Sequence, residues 1–382
     1  MDTNPDSSQQ DQSMNSSTAG AAEAPKTGWG MDFEVAVCER CDWSYLMPTG
    51  SLPQTCPHCF QAHLTSLGEQ LQELPYIKPP ELCLPFTLSS ARLAQSIESF
   101  ARGIPFAPAD LNPKTLQSRL RRVYLPMWLV DAQVKASWQA EAGFDYQVVS
   151  HQDRYQDYGG WTSQEVKEGR VRWEPRLGRL DRTYSNIPVP ALGEEGRIQS
   201  ALGAYALDDA RPYLPETLSG SFVRLPNRTP EDSWSDAKPA IQQAAAEECG
   251  DAASADHIRS FRWSPEFASQ NWTLLLLPVY ASYYQDDEGK PQPVLLHGRT
   301  GRLSGARRAS PKRAQSTALS MLAAALVFGL IAMVILLVGI AMPALLAIGV
   351  IVLVFALLVG LGAIYPLAAV WWFNRQERPG QI

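Results

Sequence analysis

The sequence predicts an α+β protein in three parts: a small metal-stapled ribbon, an antiparallel-sheet-rich cytosolic domain, and a C-terminal transmembrane helical hairpin. Three observations predict it. Two Cys-x-x-Cys pairs, Cys38/Cys41 and Cys56/Cys59, stand near the start. No charged residue occurs from Ala314 to Asn374. Between these regions, short helical patterns alternate with runs of aromatic and β-branched residues.

At 382 residues the chain has room for two or three folded units. Residues 1–30 are rich in Ser, Gln, Asn, Asp and Thr. They hold too little apolar area to offset the entropy of ordering, so a disordered tail is expected. They also lack the basic and apolar regions of a signal peptide, which places the soluble part in the cytosol. Thiols are kept reduced there, so the cysteines read as metal ligands or free thiols, not disulfides.

Residues 31–66 form the predicted ribbon. Each Cys-x-x-Cys pair suits a tight turn offering two thiolates, and two such turns complete a tetrahedron around one Zn²⁺. Cys38, Cys41, Cys56 and Cys59 are therefore the predicted metal ligands, with a thiol redox pair or an iron site as alternatives. Four thiolates close the coordination shell, which makes the ion structural. His58 and His63 read as bystanders, and Cys83 and Cys249 as small buried residues. The ribbon carries Asp32, Glu34, Glu39 and Asp42 against Arg40. Nucleic acid demands the opposite charge, so Trp43, Tyr45 and Phe60 point to a small core or a protein-binding face.

Residues 67–87 read as a Pro-rich linker, flexible enough to let the ribbon swing. The α+β domain is expected over 88–298. Leu93, Ile97 and Phe100 recur at helical spacing behind Ser89 and Ser90 as cap candidates, and Pro113 suits a first helical position before Leu116 and Leu120. Strand chemistry follows over Tyr124 to Trp138, Phe144 to Val149, Val171 to Pro175 and Leu180 to Val189. Ala240 to Cys249 is the clearest later helix. A hairpin is expected from Asn271 to Tyr284, through the polar turn Asp286 to Lys290, and back over Pro293 to Gly298. Leu125-Pro126-Met127-Trp128 echoes Leu277-Pro278-Val279-Tyr280. Two copies of a helix-plus-sheet unit would explain the echo, as would chance. Each proline favours an edge strand or a bulge over a central strand.

Residues 299–316 form a basic juxtamembrane segment with Arg299, Arg302, Arg307, Arg308, Lys312 and Arg313. Residues 317–373 then suit two membrane helices of about 20 apolar residues or more, broken at Gly339, Met342 and Pro343. Tyr365, Trp371 and Trp372 suit a headgroup zone, and residues 374–382 a cytosolic tail. Basic residues flank both ends, which predicts both termini on the cytosolic side. With no ionisable group inside the spans, the pair reads as an anchor in the lipid bilayer, not a transport path. Ala325/Gly329 and Ala356/Gly360 could let the helices approach closely.

The chain shows no phosphate loop, no G-x-S-x-G and no H-E-x-x-H. A non-enzymatic, protein-binding adaptor is thus the expected function. The alternatives are an enzyme acting on a lipid or membrane-bound substrate through His151, Asp153 or Glu165, and nucleic-acid binding through the ribbon. Trp161, Trp173 and Tyr184 with Arg170, Arg172, Arg176 and Arg179 could make a mixed aromatic–basic surface, but arginines on a solvated sheet face are the expected reading.

The ribbon, Leu74-Pro75-Tyr76, Leu84-Pro85-Phe86, Tyr124-Leu125-Pro126-Met127-Trp128, Leu276-Leu277-Pro278-Val279-Tyr280 and His297-Gly298-Arg299-Thr300-Gly301 occur in that order. In this the chain resembles a bacterial family of uncharacterised zinc-ribbon membrane proteins. Such chains often carry names taken from the zinc-binding region of the primosomal helicase. The resemblance implies a zinc ribbon, an α+β cytosolic domain, and a membrane tail in the bacterial inner or cell membrane. It implies no activity, and the helicase's ATP-binding motifs are absent. It also implies an Asn before the Gly-x-Thr-Gly turn, where this chain has His297.

Overall fold

A computed structural model describes residues 28–30, 32–68, 74–156 and 159–376. Most of the expected tail, residues 1–27, lies outside them, as do part of the expected linker and residues 377–382. Eleven strands form one mixed sheet beside helices and an apolar helical pair.

The ribbon comprises β1 (Phe33–Cys38), β2 (Ser44–Pro48) and β3 (Leu64–Ser66), with β1 antiparallel to both others. It is no separate, swinging unit. β2 pairs with β8 (Ser221–Arg224) and so extends the main sheet. Trp43, Tyr45, Met47 and Leu64 share one buried cluster with Val123, Leu125, Leu275 and Leu277. The physical reason is apolar area: so small a ribbon cannot cover its own aromatic residues.

Trp29, which the composition of the tail concealed, is buried. Its indole donates to the Ile77 carbonyl at 2.9 Å, and its ring meets Phe33 and Tyr213 edge-on. The expected linker is laid along the sheet. Tyr76 stands edge-on to Trp128, and β4 (Leu82–Cys83) pairs with β9 (His257–Gln285) and β7 (Arg211–Pro212).

α1 (Ser90–Arg102) starts at Ser89, whose hydroxyl accepts from the Arg92 amide, and buries Leu93, Ile97 and Phe100. α2 (Pro113–Ser118) is capped by Asn112. After these come β5 (Arg121–Gln156) and β6 (Gly160–Pro190), where the expected short strands merge into two very long ones. At a rise of about 3.3 Å per residue, the 36 residues of β5 extend over about 115 Å. Trp138 lies opposite Gly178, and Trp173 opposite Gly143. A Cβ on Gly178 would come within 3.0 Å of the Trp138 ring, so each indole lies over the bare backbone of its partner strand.

β9 also starts earlier than expected and adds a third strand to this arm, reaching Gly143 opposite His257. α4 (Pro230–Ala252) covers its inner face with Ala237, Ile241, Ala245 and Cys249. It begins ten residues before the expected Ala240, because Thr229 and Asp232 complete a capping box that spans Pro230 at the first helical position.

The two echoing tetrapeptides face each other at the centre of the sheet, with Leu125 opposite Leu277. Both prolines therefore sit in central strands, contrary to expectation. Each lies where the neighbour on its far side changes. Along β5, parallel β8 ends at Tyr124 and antiparallel β6 begins at Met127. Along β9, parallel β4 ends at Leu276 and antiparallel β10 (Pro291–His297) begins at Val279. A missing N–H costs nothing at such a gap. β11 (Leu303–Gly305) completes the sheet beside β10, and α3 (Glu195–Leu202) packs near both.

α5 (Pro311–Gly339), α6 (Pro343–Gly362) and α7 (Ile364–Gln376) follow. Pro311–Gly339 and Leu345–Gln376 are long and apolar enough to cross a membrane, by length and composition. Leu319, Leu326, Ile351, Leu358 and Leu361 point outward. The pair packs through small residues: a Cβ on Gly349 would lie 2.7 Å from Leu336, and one on Gly360 would lie 3.6 Å from the Ala325 methyl. Its base is fastened to the sheet domain. The Asn374 amide bonds both polar groups of the Ala309 backbone at 2.9 and 3.0 Å, and Arg313 donates to the Ala107 carbonyl at 2.7 Å.

Candidate metal centre

Cys38 ends β1 and Cys41 closes the first turn; Cys56 and Cys59 form the second. The two turns repeat one geometry. The residue after each pair is left-handed, Asp42 at φ 57° and Phe60 at φ 52°. Its amide donates to the carbonyl of the first cysteine, at 2.9 Å in one turn and 3.0 Å in the other. The first cysteine's own amide donates onward, Cys38 to Trp43 and Cys56 to Ala62. Left-handed backbone costs a non-glycine residue about 1–2 kcal/mol, which is offset at Phe60 by ring contact with Tyr283 at 4.7 Å.

The four Sγ atoms all lie within 4.8 Å of one another. Cys38 and Cys59 are 3.6 Å apart, and Cys41 and Cys56 are 3.7 Å apart. Thiolates placed about 2.3 Å from one tetrahedral ion would be about 3.8 Å apart. The set thus fits a metal ion, and its all-sulfur donors suit a soft or borderline one. The His58 amide points at the Cys56 sulfur from 3.4 Å. The Cys56 thiol is drawn down to about 5, first by the Cys41 thiol and then by the Cys59 and His58 amides, while Cys41 is raised. One thiolate of that pair is therefore favoured before the other. The His58 ring stacks on Trp43 at 3.8 Å, outside the four-sulfur set.

Sequence reasoning missed the groups behind the sulfurs. Arg224, from β8, is 3% exposed. It donates to the Ser44 carbonyl at 3.1 Å and to the Ser44 hydroxyl at 2.9 Å, and it stands 3.7 Å from Glu194. Its guanidinium lies 4.8 Å from the centre of the Trp43 ring. Burial draws its guanidinium below the usual range, opposed by Tyr45 and Glu194 and then by Cys41 and Cys56. Tyr45 is fully buried, and its hydroxyl is held well above its usual range by burial first and then by Cys56. A four-thiolate site with a divalent ion carries net negative charge, and a buried cation beside it offsets part of the desolvation cost. Nothing in the spacing of the cysteines signals an arginine so far along the chain.

The other singled-out residues do not converge. His151 and Glu165 lie opposite each other on the two-stranded end of the arm, exposed, with Asp153 two residues on. The side chain of Trp161 lies outside the described residues. Arg259 covers Trp173 at 3.9 Å, and Arg172 and Arg176 flank Phe144, so aromatic and basic side chains do meet on this sheet rather than merely facing solvent. Cys83 and Cys249 are buried; burial pushes the Cys83 thiol up to about 11. His297 is also buried, and its Nδ1 accepts the Arg299 and Thr300 amides, both at 3.2 Å. An Asn oxygen would serve the same turn. Glu195, unnoticed in the sequence, is 3% exposed, accepts the Ala191 amide at 2.7 Å, and is raised to about 7 by burial.

No family model matches the chain, and neither a curated protein nor a solved structure matches it.

Proposed function

We propose that the protein is a membrane-tethered, non-enzymatic adaptor that binds a protein partner through a structural zinc ribbon. In this reading α5 and the α6–α7 run cross the bilayer as a hairpin, and both termini face the cytosol. The observation that carries the proposal is the four-sulfur cluster. Four thiolates around one Zn²⁺ leave no open position for substrate or water. The outer side of the ribbon keeps Asp32, Glu39 and Asp42 in solvent, a face suited to a basic partner.

The placement of the ribbon bears on how such an adaptor works. Joined to the sheet through β2 and β8, it is held rigidly relative to the anchor, and partner capture involves no swinging. Reach comes instead from the arm of β5, β6 and β9. β5 starts at Arg121, opposite Ala281 of β9. That end of β9 leads to Tyr284, whose hydroxyl bonds the segment entering α5, and β5 runs away from it. The rival enzyme reading draws no support from His151, Asp153 and Glu165, which stand on an exposed two-stranded ribbon. The matching order β4–α1/α2–β5–β6 and β8–α4–β9–β10 favours a duplicated unit in which each copy lends its short strand to the other.

The test is affinity capture from detergent-solubilised membranes. Wild type is expected to retain a stoichiometric protein partner. Cys38→Ser/Cys41→Ser should lose it, and so should Glu39→Lys/Asp42→Lys with its metal still bound. If no partner is captured and the purified chain turns over a lipid or metabolite, the adaptor reading is wrong.

A further inference from the structure

Six basic residues precede α5 or lie in its first turn, and the structure divides them. Arg299 pairs with Asp209 and donates to the Ala206 carbonyl. Lys312 bonds Asp287, and Arg313 bonds Ala107. Arg308 lines a cleft that also holds Asp286, Asp287 and Glu288. Arg302 and Arg307 remain, and they meet Arg92 of α1 in a different cleft of about 430 Å³. That volume lies within the range of small-ligand sites, about 300–1,000 Å³.

The walls of this second cleft are chemically one-sided. Beside the three arginines stand the hydroxyls of Ser96, Ser99 and Thr300, and no carboxylate lines it among the described residues. Glu98, the acidic residue of α1, is turned to Arg102 at 2.9 Å. None of Arg92, Arg302 and Arg307 makes an ion pair among the described residues. The three guanidinium groups are exposed, so water screens much of their mutual repulsion, and an anion bridging them would relieve the rest. Planar guanidinium forks with hydroxyls match the oxygens of a phosphate group.

The cleft also has a definite height on the molecule. Arg307 lies over the Phe100 ring at 5.3 Å. Phe100 shares an apolar cluster with Ala309, Ala314 and Val370, at the base of the helical pair. A phosphate held here would sit beside the start of α5, where lipid headgroups meet a membrane helix.

We propose that Arg92, Arg302 and Arg307 form a phosphate-binding pocket that takes the headgroup of an anionic phospholipid. The lipid assignment rests on the membrane reading of the helical pair; the phosphate chemistry does not. Such a headgroup would fix the height and tilt of the sheet domain above the bilayer.

The experiment is calorimetric titration of the full chain, in a neutral detergent, with three probes: dihexanoyl phosphatidic acid, dihexanoyl phosphatidylcholine and inorganic phosphate. Saturable one-to-one binding of the phosphatidic acid is expected, tighter than that of either other probe. Arg302→Gln/Arg307→Gln should weaken it about tenfold or more, and Arg179→Gln/Arg262→Gln, on the distant arm, should leave it unchanged. Unaltered thermal unfolding and metal content of both variants separate loss of the pocket from loss of the fold. Equal affinity for inorganic phosphate and phosphatidic acid overturns the lipid assignment. No saturable binding of any probe, or unchanged binding by Arg302→Gln/Arg307→Gln, overturns the pocket itself. The membrane reading is tested apart, by whether the chain sediments with membranes after an alkaline wash.

Discussion

Arg224→Met removes a buried cation from behind the four sulfurs while keeping much of its apolar volume. The substitution loses two charge-assisted hydrogen bonds to Ser44 and the contact with Trp43. It also strips Glu194, whose side chain is 12% exposed, of its positive neighbour. Hydrogen bonds to a charged group contribute about 1.5–3 kcal/mol each, and a desolvated cation–π contact about 2 kcal/mol. The methionine recovers part of this by packing on Trp43, so a net loss of about 3 kcal/mol is expected, the lower end for breaking a buried pair. Metal affinity should fall about 10–100-fold, the usual effect of removing an outer partner of a metal site. Competition of the full chain against a chromophoric chelator reads the affinity, and denaturant unfolding in detergent reads the stability. Arg40→Met, on the exposed face of the first turn, is the control. Equal metal affinity and stability in the two variants would refute the reasoning.

Three further outcomes are expected. Glu195 is raised from 4.5 to about 7, so its contribution to stability is complete below its unfolded value and lost as pH rises through 7; wild type should lose up to about 3 kcal/mol between pH 5 and pH 8, and denaturant midpoints should show Glu195→Gln losing far less. His297→Asn should keep the turn that His297→Ala loosens by about 1–3 kcal/mol, read as protection of the Arg299 and Thr300 amides in hydrogen exchange. Ala325→Cys/Gly360→Cys should cross-link on oxidation, since the two Cβ positions lie 3.6 Å apart, and adding Gly349→Leu should abolish the cross-link by forcing the helices apart; gel mobility reports both.

The four-cysteine cluster was legible because a shared metal site would impose its local spacing, and the apolar helical pair because its run is long and uninterrupted enough to cross a bilayer. The cap at Ser89 and the helix start at Pro113 were legible for the same local reason. What stayed hidden depends on distant pairing. The prolines at 126 and 278 look like edge residues until the changes of neighbour on either side are known. The arm looked like separate short strands because glycines interrupt its alternation, and only the pairing of Gly143 with Trp173 and of Gly178 with Trp138 explains them. Trp29 was masked by a polar neighbourhood. The linker looked mobile because prolines suit both a loose connection and a strap fixed along a sheet. Arg224 and Glu195 are charged residues buried for long-range reasons, which no local pattern encodes.

The central claim is a single structural zinc ion that holds the ribbon closed at the end of the sheet. X-ray absorption at the zinc edge, on full chain purified under reducing conditions, tests it most directly. One zinc per chain with four sulfur neighbours at about 2.3 Å is the predicted result. Substoichiometric metal, or a shell in which nitrogen from His58 or His63 replaces a sulfur, would contradict it.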